Sequence, residues 1–143
     1  MPETVLLLTG MRIQKEDFIE FVRTLQIPET KVIQPSGFYD AQFVKGKQNI
    51  WVALHNEELS FYEDEQMMRL QQKLGNLPQT LITLDISKTE PTSQELAVEF
   101  IARFAERWPC VIDNNQAGDD FRVYSVQEVL ELRKRGEDII YPK

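Results

Sequence analysis

One histidine, one cysteine and a scatter of carboxylates are the side chains of this sequence with chemical potential. Cys110 as nucleophile, His55 as base and Asp113 as orienter would make a thiol triad, and that combination leaves room for a small enzyme or a ligand-binding domain with a cleft near His55 and Cys110. With a single histidine, a Ser-His-Asp triad or a zinc site with several histidines is out of reach. Cys110 lies in an apolar run after Trp108-Pro109, the setting of a buried, inert thiol. His55 falls at a strand end before acids and reads as a surface or partner-facing residue. Asp85, Glu57 and Glu58 are candidates for acid-base pairing, but in a chain with 23 acidic residues such pairing arises by chance.

The segment 113–120, DNNQAGDD, resembles part of a calcium loop. Asp113, Asn115 and Gly118 fit its first, third and sixth positions. Ala117 takes the fifth position and Tyr124 the twelfth, so two oxygen ligands are lost, and the segment reads as a solvated hairpin turn. No metal and no cofactor is expected, and no glycine-rich phosphate loop follows Gly10.

The sharper candidate is an acidic-aromatic run. Between 55 and 65 stand five acids, Glu57, Glu58, Glu63, Asp64 and Glu65, with no Lys or Arg and with Phe61 and Tyr62 among them. Acids around an apolar anchor combine electrostatic steering with a hot spot, which suits a protein-binding surface. Asp119 and Asp120 are candidates for the same surface. The competing reading is a solvated lead-in to a helix, where acids complement the helix dipole.

Charge supports a protein partner over nucleic acid. The 143-residue chain carries a net charge of −7. Residues 1–54 hold six acids and six bases, so the excess lies wholly in 55–143. Phosphate backbones are repelled by such a balance, whereas a basic protein face is attracted. Apolar and charged fractions of 42% and 27% are those of an ordinary globular domain. No apolar run reaches the 18–20 or so residues of a membrane span, and the N-terminal apolar run reads as a strand. The lone cysteine fits a cytoplasmic protein without a disulfide framework.

The elements that position these residues are organised around 79–115. There Leu81, Ile82, Leu84 and Ile86 form a buried strand over 80–87. Thr92 and Glu95 have capping-box spacing. Leu96, Ala97, Phe100, Ile101, Phe104, Ala105 and Trp108 then recur at three and four, the apolar face of an amphipathic helix that Pro109 stops. Glu99 and Arg103 make an i,i+4 pair on its other side. A strand over 110–113 follows, completing a unit able to join two parallel strands.

Elsewhere, residues 5–8 form a strand and 15–26 a helix with Phe18, Phe21, Val22 and Leu25 on one face. Ala41–Lys45 and 49–55 make a hairpin around Gly46. Met67, Leu70 and Leu74 give a surface helix ended by Gly75. Residues 121–124 form a short strand, and Ser125 with Glu128 caps a last helix that Gly136 ends. Ile139, Ile140 and Tyr141 form an edge strand or a packed tail. Trp51 and Trp108 read as core residues. The order βαββαβαββα predicts a single α+β domain over 1–143, an αβ sandwich whose first six elements form a ferredoxin-like βαββαβ core extended by a C-terminal αββα.

At Leu96-Ala97, Phe100, Phe104-Ala105 and the run Trp108-Pro109-Cys110-Val111-Ile112-Asp113 the chain resembles small bacterial immunity proteins of toxin–immunity systems. The resemblance covers about a third of the chain. It implies a cytoplasmic, non-catalytic protein that binds and blocks a cognate toxin. The matching positions are core positions, so it assigns no binding residues.

Overall fold

Alternation of side chains sets the architecture. In β1 (Glu3–Thr9), Val5 and Leu7 point to one sheet face and Leu6 and Leu8 to the other. All four are buried, so both faces of this strand need cover. A computed structural model of the chain describes residues 3–27, 30–32, 37–56, 59 and 62–140. It is a mixed α+β structure in which one antiparallel sheet carries helices on both faces.

The chain runs from β1 into α1 (Lys15–Thr24), then β2 (Lys31–Val32), β3 (Ala41–Lys45), β4 (Gln48–His55), α2 (Asp64–Leu74), β5 (Thr80–Ile86), α3 (Ser93–Arg107), β6 (Cys110–Asp113), β7 (Val123–Ser125) and α4 (Val126–Lys134). The sheet order is β2-β3-β4-β5-β1-β6-β7, with every neighbouring pair antiparallel. β5 and β6 flank β1 and therefore run the same way. The β5-α3-β6 unit does join two parallel-running strands, but with β1 inserted between them.

That insertion alters the expected arrangement of the first six elements. A ferredoxin-like core made of them sets β1 between the strands at 49–55 and 80–87. Instead β5 lies between β1 and β4, and β6 occupies the other side of β1. The αββα order after β5 is as expected. β2, a two-residue edge strand, was not expected.

The main core lies on the Val5 face. Phe18, Phe21 and Val22 of α1, Phe100, Ile101 and Phe104 of α3 and Val129 of α4 pack there on Ile50, Val52, Ile82, Leu84 and Ile112. Leu70 of α2 covers Leu6, Leu8, Leu81 and Val111 on the opposite face. α2 therefore has a narrow apolar stripe, as its single fully buried leucine shows.

Local signals were met unevenly. Ser125 Oγ accepts from the Glu128 N–H at 3.1 Å, and Glu128 Oε1 accepts from the Ser125 N–H at 2.9 Å, closing the predicted box. The Thr92–Glu95 box does not form. Thr92 has helical dihedrals, its hydroxyl donates to Glu90 at 2.8 Å, and Glu95 pairs with Arg133 of α4. An interhelical ion pair has taken the carboxylate that a cap needs. Likewise Glu99 pairs with Lys45 of β3 and Arg103 with Glu106, in place of one another. Gly75 closes α2 at φ +85, a dihedral that favours glycine. Ile139 and Ile140 are buried as a packed tail, and Tyr141 lies outside the described residues.

Candidate functional site

The start of α2 and the β6–β7 connection meet at one end of the second sheet face. Glu63 precedes α2, and its N–H donates to the Gln66 side-chain oxygen at 3.1 Å. Asp64 and Glu65 fill the first turn, where the helix dipole favours anions. Just before them Tyr62 turns inward, packs on the α2-side core and donates its hydroxyl to Asp113 at 2.7 Å. That bond ties the approach to α2 to the end of β6.

The β6–β7 connection carries Gly118–Asp120 as a short 3-10 turn. A cavity of about 210 Å³ forms where it faces α2, lined by Glu63, Glu65, Gln66, Arg69, Gly118, Asp119 and Phe121. Three of the predicted partner-binding acids, Glu63, Glu65 and Asp119, thus share one cavity although 54 and more positions separate Asp119 from the other two. Asp64 and Asp120, each next in sequence to a lining acid, are exposed and do not line it. Glu57, Glu58 and Phe61 lie outside the described residues. Phe121 is buried beneath the cavity, and the Arg69 guanidinium lies 4.8 Å from its ring centre.

Below the acids sits a buried carboxylate. Asp113 is 2% exposed, and burial raises its carboxyl above the ordinary value of 3.8; the Tyr62 hydroxyl, the Asn115 N–H and the Arg69 charge oppose the shift without cancelling it. Burial, with the negative charge and hydrogen bond of Asp113, pushes the Tyr62 phenol upward in turn. A carboxyl raised on folding binds more protons in the native than in the unfolded state. Its contribution to stability is therefore present below pH 3.8 and lost as pH rises through the folded value. Asp113→Asn, which cannot titrate, should gain stability relative to the unsubstituted protein as pH is raised from 3.8 to neutrality. Urea unfolding at several pH values measures this, and a difference independent of pH would contradict the burial argument.

The other predicted groupings come apart. His55 shares its sheet face with Trp51 and Ala53, while Cys110 faces the main core with Ile112. His55 and Cys110 thus lie on opposite faces, with β5 and β1 between their strands, roughly 14 Å across at the usual strand spacing. The triad is not assembled. Cys110 is a core thiol, and burial pushes it up to about 12. In the 113–120 segment Asp113 accepts from Tyr62 and from the Asn115 N–H, and Asn114 is fully buried, so the turn is less solvated than its composition suggests.

Sequence reasoning overlooked one constellation. On the second face Trp51 stands opposite Asp85, and Asp85 opposite Thr4. The Thr4 and Tyr39 hydroxyls donate to the two oxygens of Asp85. Trp51, expected in the core, is only half-buried there and packs against the Tyr39 ring. Asp85 in an otherwise apolar strand was the available signal.

No family model matches the chain, and neither a curated protein nor a solved structure does. Among the described residues no helix is long and apolar enough to cross a membrane.

Proposed function

We infer that the chain is a non-enzymatic protein-binding protein, an immunity protein that binds a cognate bacterial toxin in the cytoplasm and blocks it by occlusion. The observation that carries this reading is the cavity shared by Glu63, Glu65 and Asp119. Two acidic segments distant in sequence converge on it, and each carries a further exposed acid, Asp64 or Asp120. The five carboxylates outnumber the nearby guanidiniums of Arg69 and Arg122, which leaves a negative surface for a basic face. Arg122 donates to the backbone carbonyl of Asp119 and helps hold the turn. Such a surface steers encounter and fixes orientation. The separation of His55 from Cys110 favours binding over thiol chemistry.

The fold reading that accompanies this takes β4, β5, β1 and β6 with α1 and α3 as a ferredoxin-like unit. β2, β3 and α2 are then insertions, and α2 is the insertion that carries the acids.

The test is protection and binding with a toxin domain encoded beside this chain. Cells producing both should survive, and the triple variant Glu63→Lys, Glu65→Lys, Asp119→Lys should bind at least tenfold more slowly, on the order seen when steering charges are reversed, with weaker salt dependence. Unchanged association would remove this surface from the reading. Absence of protection by the unsubstituted chain would remove the immunity function.

A further inference from the structure

The second sheet face is divided. Its corner at Leu6, Leu8, Leu81 and Val111 is covered by α2. The other corner presents half-exposed Trp51, His55 and Thr83, with Tyr39 and Phe38 laid against them. Phe38 is 69% exposed and meets Tyr39 edge-on at 4.9 Å and the His55 ring at 6.0 Å; Tyr39 lies 6.2 Å from Trp51.

Asp85 forms the floor of this aromatic corner and is 7% exposed. A carboxylate that deep normally has a cation. Asp40, equally buried, has Lys15 at 2.7 Å, and Asp113 has the charge of Arg69. Among the described residues no Lys, Arg or His forms an ion pair with Asp85. One hydroxyl on each oxygen leaves a lone-pair direction open on each, the pattern a forked donor fits. The surrounding rings offer faces on which a planar cation stacks. Within the molecule, guanidiniums already lie over Phe121 and Trp108, whereas Trp51 meets the Tyr39 ring.

We propose that this corner docks the guanidinium of an arginine presented by a protein partner, stacked on Trp51 and Tyr39 and balanced by the Asp85 carboxylate. The inference does not rest on the acidic cavity, and its probe is a small cation, so the two readings fail separately.

The full chain, labelled with nitrogen-15, supplies two indole N–H signals, with buried Trp108 as the internal reference. Argininamide should shift the Trp51 signal saturably and leave Trp108 unmoved. Citrullinamide, its neutral counterpart, should bind at least tenfold more weakly, and Asp85→Asn should weaken argininamide at least fivefold with the Trp108 signal in place. A blocked Gly-Arg-Gly peptide should bind at least as well as free arginine. Equal binding of argininamide and citrullinamide, or binding untouched by Asp85→Asn, would overturn the site. Free arginine binding tenfold tighter than the peptide would overturn the assignment to a protein partner.

Discussion

Phe100→Ala is expected to cost about 3–5 kcal/mol of stability, the range for removing a buried aromatic ring. Phe100 is fully buried in α3, and its ring lies 6.0 Å from Phe21 of α1, 5.4 Å from Phe43 of β3 and 6.1 Å from Phe104. Its removal therefore loosens contacts among three elements at once. Domains of this kind have roughly 5–15 kcal/mol in total, so the variant should lose a large share of it and melt roughly 10 °C lower. Urea unfolding of the variant beside Phe100→Leu separates lost volume from lost ring contacts. A loss below about 1 kcal/mol for the alanine would mean that the cluster collapses to fill the space, contrary to the usual behaviour of packed cores.

Phe100 was legible because helical periodicity records burial directly. Leu96, Ala97, Phe100, Ile101 and Phe104 were placed on one face by spacing alone, and all are fully buried. The buried strand over 80–87 was equally legible, and Leu81, Ile82, Leu84 and Ile86 are all buried. The capping box at Thr92 failed because Arg133 competes for Glu95 across some forty positions of sequence. Strand order failed for a related reason. The six-element pattern sets the first strand between the third and fourth, but here β4 and β5 pair directly and β1 pairs with β5 and β6, a long-range choice that no local window contains.

The candidate site was legible in part. Composition picked out Glu63, Glu65 and Asp119, and the fold brings them to one cavity. Tyr62 stood in the same run as an apolar anchor for a partner, yet its hydroxyl is turned to Asp113. Nothing in the spacing of Tyr62 and Asp113 announces that bond. Asp85 was a candidate for pairing with another acid, and its bond to Tyr39 escaped for the same reason: one residue precedes β3, the other lies within β5, and only the fold makes them neighbours. An isolated carboxylate in an apolar strand is a usable signal, because such a group must find partners.

Asn114 makes the sharpest case. Its composition-based reading is a solvated turn residue, yet it is 0% exposed. Its amide nitrogen donates to the Asp120 carbonyl at 3.0 Å and to the Ile140 carbonyl at 2.9 Å. Its oxygen accepts from the Arg122 N–H at 2.9 Å. One side chain thus holds the turn that carries Asp119 and anchors the C-terminal tail over the core. Asn114→Asp keeps the shape but replaces two donors with a carboxylate facing two carbonyls. The expected loss at pH 7 is about 3–5 kcal/mol, that of a buried charge without a partner. Asn114→Ala leaves the same carbonyls and an N–H unsatisfied, at about 1–3 kcal/mol for each group that water cannot reach. The two variants differ in pH dependence. A carboxyl at this position is easier to protonate when folded than when unfolded, so the aspartate variant should recover towards the unsubstituted protein as pH falls through its raised folded value, with the recovery complete below about 4, while the alanine variant should not. Urea unfolding of all three proteins at pH 3 and pH 7 reads the difference. Equal losses for Asn114→Asp at both values would mean that the carboxylate reaches solvent, and the turn would then owe its position to something other than this amide.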